Sequence, residues 1–260
     1  MLGTVTRAVA LVCLLPASAW AGCFPIAARD APLRVASAAP VPLPEDATLR
    51  LTFLGHASFL IESAEGVTAV TDYNGVHRAP FAPRIVTMNN AHATHWTSRI
   101  EPGVEHVLRG WDPAGGIVGH DLRVDDVRVR SVATSVRGRT DALANSNAIF
   151  VFEVADLCVA HLGHLHHALE DYHLGELGII DVLLVPVDGM WTMPHATAVE
   201  VIEQIDPSVV VPMHYFGRSV LESFLALLDE SWTVRWQAEP TWTVSRLSLP
   251  YREVLVLPGP

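Results

Sequence analysis

Three apolar runs in this chain lead straight into histidine, and that pattern constrains its fold more than any other feature. Ile85 to Met88 stops at Asn89 and Asn90 and is followed by His92 and His95. Leu157 to Ala160 enters His161-Leu162-Gly163-His164-Leu165-His166-His167, and Val209 to Met213 ends at His214. Short runs rich in Val, Ile and Leu read as buried strands. Sheet proteins build ligand sites where strands end. The pattern therefore predicts imidazoles from three separate strands converging on one rim. Neutral imidazoles gathered in this way suit Zn(II), Fe(II) or Mn(II).

The remaining elements fit a layered α/β domain over residues 47–260. Leu49 to Ile61 reads as a strand broken by a tight Gly55-His56 turn, and Val67 to Thr71 as a short β-branched strand. Asp126 to Ala133 alternates. Ala148 to Val154 with Leu157 to Ala160 reads as a hairpin, and Asp181 to Val187 as another buried strand. Val199, Ile202 and Ile205 recur at three-residue spacing and predict an amphipathic helix over 196–205. A meander of strands followed by interleaved helices implies a mixed α/β architecture.

The first 46 residues carry different signals. Arg7, the apolar stretch Ala8 to Leu15 and the small-residue segment Ala19-Trp20-Ala21 read as a signal peptide over 1–23, with cleavage before Gly22. Trp20-Ala21-Gly22-Cys23 also resembles a degenerate lipobox, which would make Cys23 a lipidation site and the protein a lipoprotein. Residues 24–46, with Pro25, Pro32, Pro40, Pro42 and Pro44, read as a semi-rigid tether. The expectation is an exported protein of the periplasm or cell envelope, touching membrane only through an N-terminal lipid anchor. A formal net charge of −11, with no basic run, argues against a nucleic-acid partner; the expected partner is a small-molecule substrate.

These segments, in order, resemble the metallo-β-lactamase superfamily, and within it the ascorbate-6-phosphate lactonase-like branch. The resemblance spans roughly residues 49–216. It rests on Leu54-Gly55-His56-Ala57-Ser58-Phe59-Leu60-Ile61-Glu62, Val70-Thr71-Asp72, Ile85 to His95 (the family's HxHxDH region), Ala160-His161-Leu162-Gly163-His164 (its HxGD region), Ile180 to Gly189, and Val211-Pro212-Met213-His214-Tyr215. The resemblance implies a four-layer αββα fold with mixed sheets and a metal site at the strand ends.

The departures matter as much as the matches. Asn90 stands where the first motif histidine falls, Thr94 where the motif aspartate falls, and His164 where the bridging aspartate falls. No histidine occurs in Val132 to Val136, where the family places another ligand. What survives implies one divalent metal, zinc foremost and iron or manganese otherwise. His95, His164 and His214 would hold it, with His92 as a fourth ligand. Asp72, His161, Asn90 and Thr94 would stand behind the ligands. Asp188 is the candidate catalytic base or, alternatively, an acceptor for a ligand histidine. His56 is expected to cap the first hairpin, and His173 to lie outside the site altogether.

Three His plus water is a valid catalytic zinc shell, whereas four His with no open position is not. The first reading is a mononuclear hydrolase that cleaves an ester, lactone or phosphoester through a metal-bound hydroxide. The alternatives are a non-catalytic metal- or ligand-binding envelope lipoprotein and a mononuclear iron or manganese oxidoreductase.

Overall fold

A computed structural model describes residues 39–136 and 145–259. The signal segment 1–23 with Cys23, and residues 24–38 of the tether, lie outside the described residues.

The strands are β1 (Leu49–Gly55), β2 (Ser58–Ser63), β3 (Thr68–Val70), β4 (Ile85–Met88), β5 (His106–Arg109), β6 (Asp121–Val124), β7 (Val127–Thr134), β8 (Asn147–Val154), β9 (Leu157–His161), β10 (Val182–Pro186), β11 (Val209–Met213), β12 (Thr233–Trp236), β13 (Thr241–Val244) and β14 (Glu253–Val256). Three helices join them: α1 (Asp171–Leu177), α2 (His195–Ile205) and α3 (Arg218–Leu225). One sheet has six strands in the order β13-β1-β2-β3-β4-β5, and the other has eight in the order β12-β14-β11-β10-β9-β8-β7-β6.

Alternation dictates how the sheets meet. In β1, Leu49, Leu51 and Phe53 point inward while Arg50, Thr52 and Leu54 are half-buried. The inward residues join Phe59 and Ile61 of β2 and Phe150, Phe152, Val159, Leu184 and Val211 of the second sheet in one continuous apolar core. Two sheets thus pack face to face. The eight-stranded sheet buries its other face, including Ile149, Val151 and Leu183, under Ala198, Val201, Ile202, Leu221 and Phe224 of the helices. Burial on both faces explains why β10 and β11 read as unbroken apolar runs, and they pair in parallel.

The six-stranded sheet is covered differently from an ideal αββα sandwich. Leu60, Val70, Val86 and Met88 pack under Tyr73, Ala79 and Phe81, with Trp96, Ile100 and Trp111 at the margin. Among the described residues this outer layer is irregular chain with no helix. Trp96 and Trp111 pack edge to face against each other in it, at 5.8 Å between ring centroids.

Helix α1 gives His173 a structural place. His173 is buried, and its Nδ1 accepts the Glu170 N–H, so that the two residues form a reciprocal N-terminal cap. It supports the helix start.

Candidate metal centre

The ends of β4, β9 and β11, with the β1–β2 turn, bring five imidazoles together. His95 sits at the centre: its ring centroid lies 4.7 Å from that of His164, 5.2 Å from His214, 5.5 Å from His56 and 6.0 Å from His92. Ligand nitrogens fall within 4.8 Å of one another in two trios, His56–His95–His214 and His92–His95–His164. His95, His164 and His214, expected to act together, are adjacent but divide between these trios.

Most of these rings are held by one nitrogen. His95 Nδ1 donates to Asp72 Oδ2 at 2.5 Å, with both side chains fully buried. His214 Nδ1 donates to Asp188 Oδ2 at 3.0 Å. His164 Nδ1 pairs with His166 Nε2 at 2.7 Å, and His92 Nδ1 with Thr94 Oγ1 at 2.9 Å. A metal-ligating histidine is typically fixed in this way through its other ring nitrogen. The His95 Nε2 and His56 Nε2 atoms are buried with no hydrogen-bond partner. An unsatisfied buried ring nitrogen carries a desolvation cost of about 1–3 kcal/mol. A bound cation would remove that cost, so the residues present fit a divalent metal.

Burial also fixes the charge state. It is the largest influence on His56, His95 and His164, and neighbouring imidazoles add to it. The pKa of His56 falls to about 3, and those of His95 and His164 to about 2. These rings are neutral at physiological pH, as ligation requires. Asp72 is pushed the other way by burial, up to about 6, against the pull of His161 and the Asn89 N–H.

The backbone accepts some strain to build this cluster. His56, Asp72 and His214 have φ values of 56°, 43° and 57°, and Gly163 has 60°. Left-handed conformations are costly for residues with a side chain and tend to cluster at functional sites. At Gly163 the constraint is also steric: a Cβ there would lie 2.4 Å from Asn89 Cβ and 2.7 Å from Asn147 Oδ1. Asn147 Oδ1 accepts the His164 N–H, and the His56 carbonyl accepts the His214 N–H at 2.7 Å.

The other expected residues take different places around the rings. Asn90 Oδ1 accepts the His92 N–H at 2.8 Å while its amide donates to the Ser146 carbonyl, so Asn90 and Thr94 both position His92. His161 is fully buried. It donates from Nε2 to the Ala57 carbonyl and accepts the Gly163 N–H at Nδ1, which braces the hairpin turn rather than a ligand ring.

Asp188 requires a correction. Its Oδ1 accepts the N–H groups of Met190, Trp191 and Thr192, and its Oδ2 accepts the Thr192 hydroxyl and His214. Burial alone would raise its pKa, but the bonds from His214, Thr192 and Met190 outweigh burial and hold it well below the usual carboxylate range. A saturated, strongly acidic carboxylate turned away from the cavity is not a general base. It orients His214 and pins the following loop.

His56 requires the opposite correction. It joins the cluster as well as turning the hairpin. The Gly-His pair in an otherwise apolar strand was the available signal, but a turn residue and a cluster residue look alike in sequence.

The rings open onto a cavity of about 880 Å³ lined by His56, His77, His92, His164, His166 and His214, by Asn90 and Thr94, and by apolar side chains including Trp191 and Phe216.

A family model for a β-lactamase superfamily domain matches residues 50–214. The chain belongs to this superfamily. A metal-dependent hydrolase of Methanosarcina mazei is 26% identical over 196 residues, covering 65% of this chain and 84% of that protein. One from Salinibacter ruber is 26% identical over 214 residues, covering 70% and 91%. A crystal structure from Thermotoga maritima, provisionally named a zinc-dependent hydrolase of the metallo-β-lactamase superfamily, is 26% identical with a TM-score of 0.59, covering 80% of this chain and 98% of that one. The fold is the metallo-β-lactamase fold.

Proposed function

We propose that this protein is an exported metal-dependent hydrolase that holds one divalent ion, zinc foremost, and cleaves a small-molecule ester, lactone or phosphoester. The observation that carries the reading is His95: it is fully buried, anchored to Asp72 through Nδ1, and its unpartnered Nε2 belongs to both histidine trios. One Nε2 lone pair serves one ion, so the two trios compete for His95, which supports a single metal.

His95 would hold the ion with His214 and His56, or with His92 and His164. An ion in such a shell supplies Lewis acidity toward a carbonyl or phosphoryl oxygen. Asp72 and Asp188 keep His95 and His214 in the tautomer that presents Nε2. Both carboxylates point away from the cavity, so the titratable groups lining it among the described residues are imidazoles alone. Among the described residues, His77 and His166 line the cavity outside both trios and are the imidazoles placed to move a proton during hydrolysis. That no carboxylate lines the cavity among the described residues also weighs against a two-His-one-carboxylate iron oxygenase. The open cavity favours a reactive site over a closed storage site. The names of the relatives support hydrolysis.

The test is to load the purified protein with zinc and assay p-nitrophenyl acetate, a δ-lactone and bis(p-nitrophenyl) phosphate. Turnover that disappears on chelation and returns with metal is expected. Metal bound stoichiometrically with no turnover of any of the three would favour the non-catalytic alternative.

A further inference from the structure

The cavity wall carries information about the substrate. Beside the histidines it presents Val76, Ala91, Ala93, Val136, Trp191 and Phe216. Three of these are held out in solvent: Val76 is 77% exposed, Trp191 63% and Phe216 64%. Isolated exposed apolar residues need no explanation, but a group of them around one opening marks a binding surface. Their placement is built. Asp188 holds the Trp191 N–H with the same carboxylate that orients His214, Phe216 follows His214 by two residues, and Asn74 Oδ1 accepts the Val76 N–H at 2.8 Å. The apolar rim is therefore tied to the histidine cluster through shared residues.

Cationic side chains show the complementary pattern. The chain contains no lysine. Arg84, Arg128, Arg130, Arg235, Arg246 and Arg252 are each paired with carboxylates elsewhere. Among the described residues no arginine lines the cavity. Sites that bind phosphate usually supply Arg, Lys or a row of backbone N–H groups. Among the described residues this one offers imidazoles, four small polar side chains (Asn74, Asn90, Thr94 and Ser146) and an aromatic rim.

We propose that the site takes a neutral carboxylic ester or lactone with an extended apolar body, in preference to a phosphoester or another anion. This inference rests on the hydrolase reading above. The apolar body would lie against Trp191, Phe216 and Val76, with the reacting carbonyl at the histidines.

The zinc-loaded full chain is assayed on p-nitrophenyl acetate, butyrate and octanoate and on p-nitrophenyl phosphate. Burial contributes roughly fourfold per fully buried methylene. Partial burial along an open wall therefore predicts that kcat/KM rises at least tenfold from acetate to octanoate, with the phosphate ester at least 100-fold below octanoate. In the double variant Trp191→Ser/Phe216→Ser, whose folding is checked by circular dichroism, the octanoate-to-acetate ratio falls below threefold. Because turnover alone would not separate the two readings, calorimetry follows the binding of 2-decanone, a neutral chain that cannot be hydrolysed, beside inorganic phosphate. Saturable ketone binding that weakens at least tenfold in the double variant and exceeds phosphate binding supports the inference, even if no ester is turned over; in that case the hydrolase reading fails alone. Ester turnover with a flat chain-length profile, or a preference for phosphate, overturns the inference and leaves the hydrolase reading standing. Neither turnover nor ketone binding overturns both.

Discussion

Replacing Asp72 with asparagine tests the logic of the cluster at its most buried point. Asp72 Oδ1 accepts the Asn89 N–H at 3.1 Å and Oδ2 accepts His95 Nδ1–H at 2.5 Å. Asparagine fits the left-handed backbone at φ 43° and fills the same space. It cannot satisfy both partners, because one oxygen becomes a donor. If the amide oxygen stays on Asn89, the NH2 group faces His95 Nδ1. The imidazole then changes tautomer and places its proton on Nε2, the atom that faces the other histidines. If the amide turns over instead, it opposes the Asn89 N–H and leaves a buried donor unpaired, at about 1–3 kcal/mol. Asp72→Asn should therefore fold with a stability loss of about 1–3 kcal/mol. It should also bind zinc roughly 10–100-fold more weakly, the usual effect of losing a residue that orients a ligand. Urea denaturation of the metal-free protein measures the first effect, and competition with a chromogenic chelator the second. Wild-type zinc affinity in a folded Asp72→Asn protein would refute the assignment of His95 and its tautomer.

Three further outcomes follow from the same structure. Asp188→Ala strips the acceptor from His214 and from the Met190, Trp191 and Thr192 N–H groups; it should cost about 2–4 kcal/mol and weaken zinc binding, read by denaturation and the same competition assay. Gly163→Ala drives a Cβ into Asn89 at a φ of 60°; the strain should lower stability by about 2–4 kcal/mol in urea. Asp181→Ala removes the carboxylate that Arg246 grips and that accepts the Cys158 N–H at 2.8 Å. It should cost about 1–3 kcal/mol and leave metal content unchanged, which makes it the control for damage away from the site.

The sequence revealed the inner strands because burial on both faces leaves a pattern that nothing else mimics. Ile85 to Met88 and Val209 to Met213 are strands with those same bounds. The 196–205 helix begins one residue earlier, at His195. Edge elements were not legible. In β12 no residue is buried, and β6 buries only Val124, so neither shows a face to read. Within the site, strand-end histidines were visible because their positions follow from chain direction. The roles of Asp188 and His56 were not, since both depend on which way a turn residue points. Asp188 stands before a glycine in a loop, and only the three-dimensional path of 188–192 turns its carboxylate onto four local donors and His214.

The most direct measurement is metal per chain, by elemental analysis after zinc loading and gel filtration, in wild type and His95→Ala. His95 belongs to both trios, so the account predicts one equivalent in wild type and essentially none in a folded His95→Ala protein, with a chelator-sensitive melting temperature in the wild type only. Two equivalents in wild type, or full occupancy without His95, would contradict it.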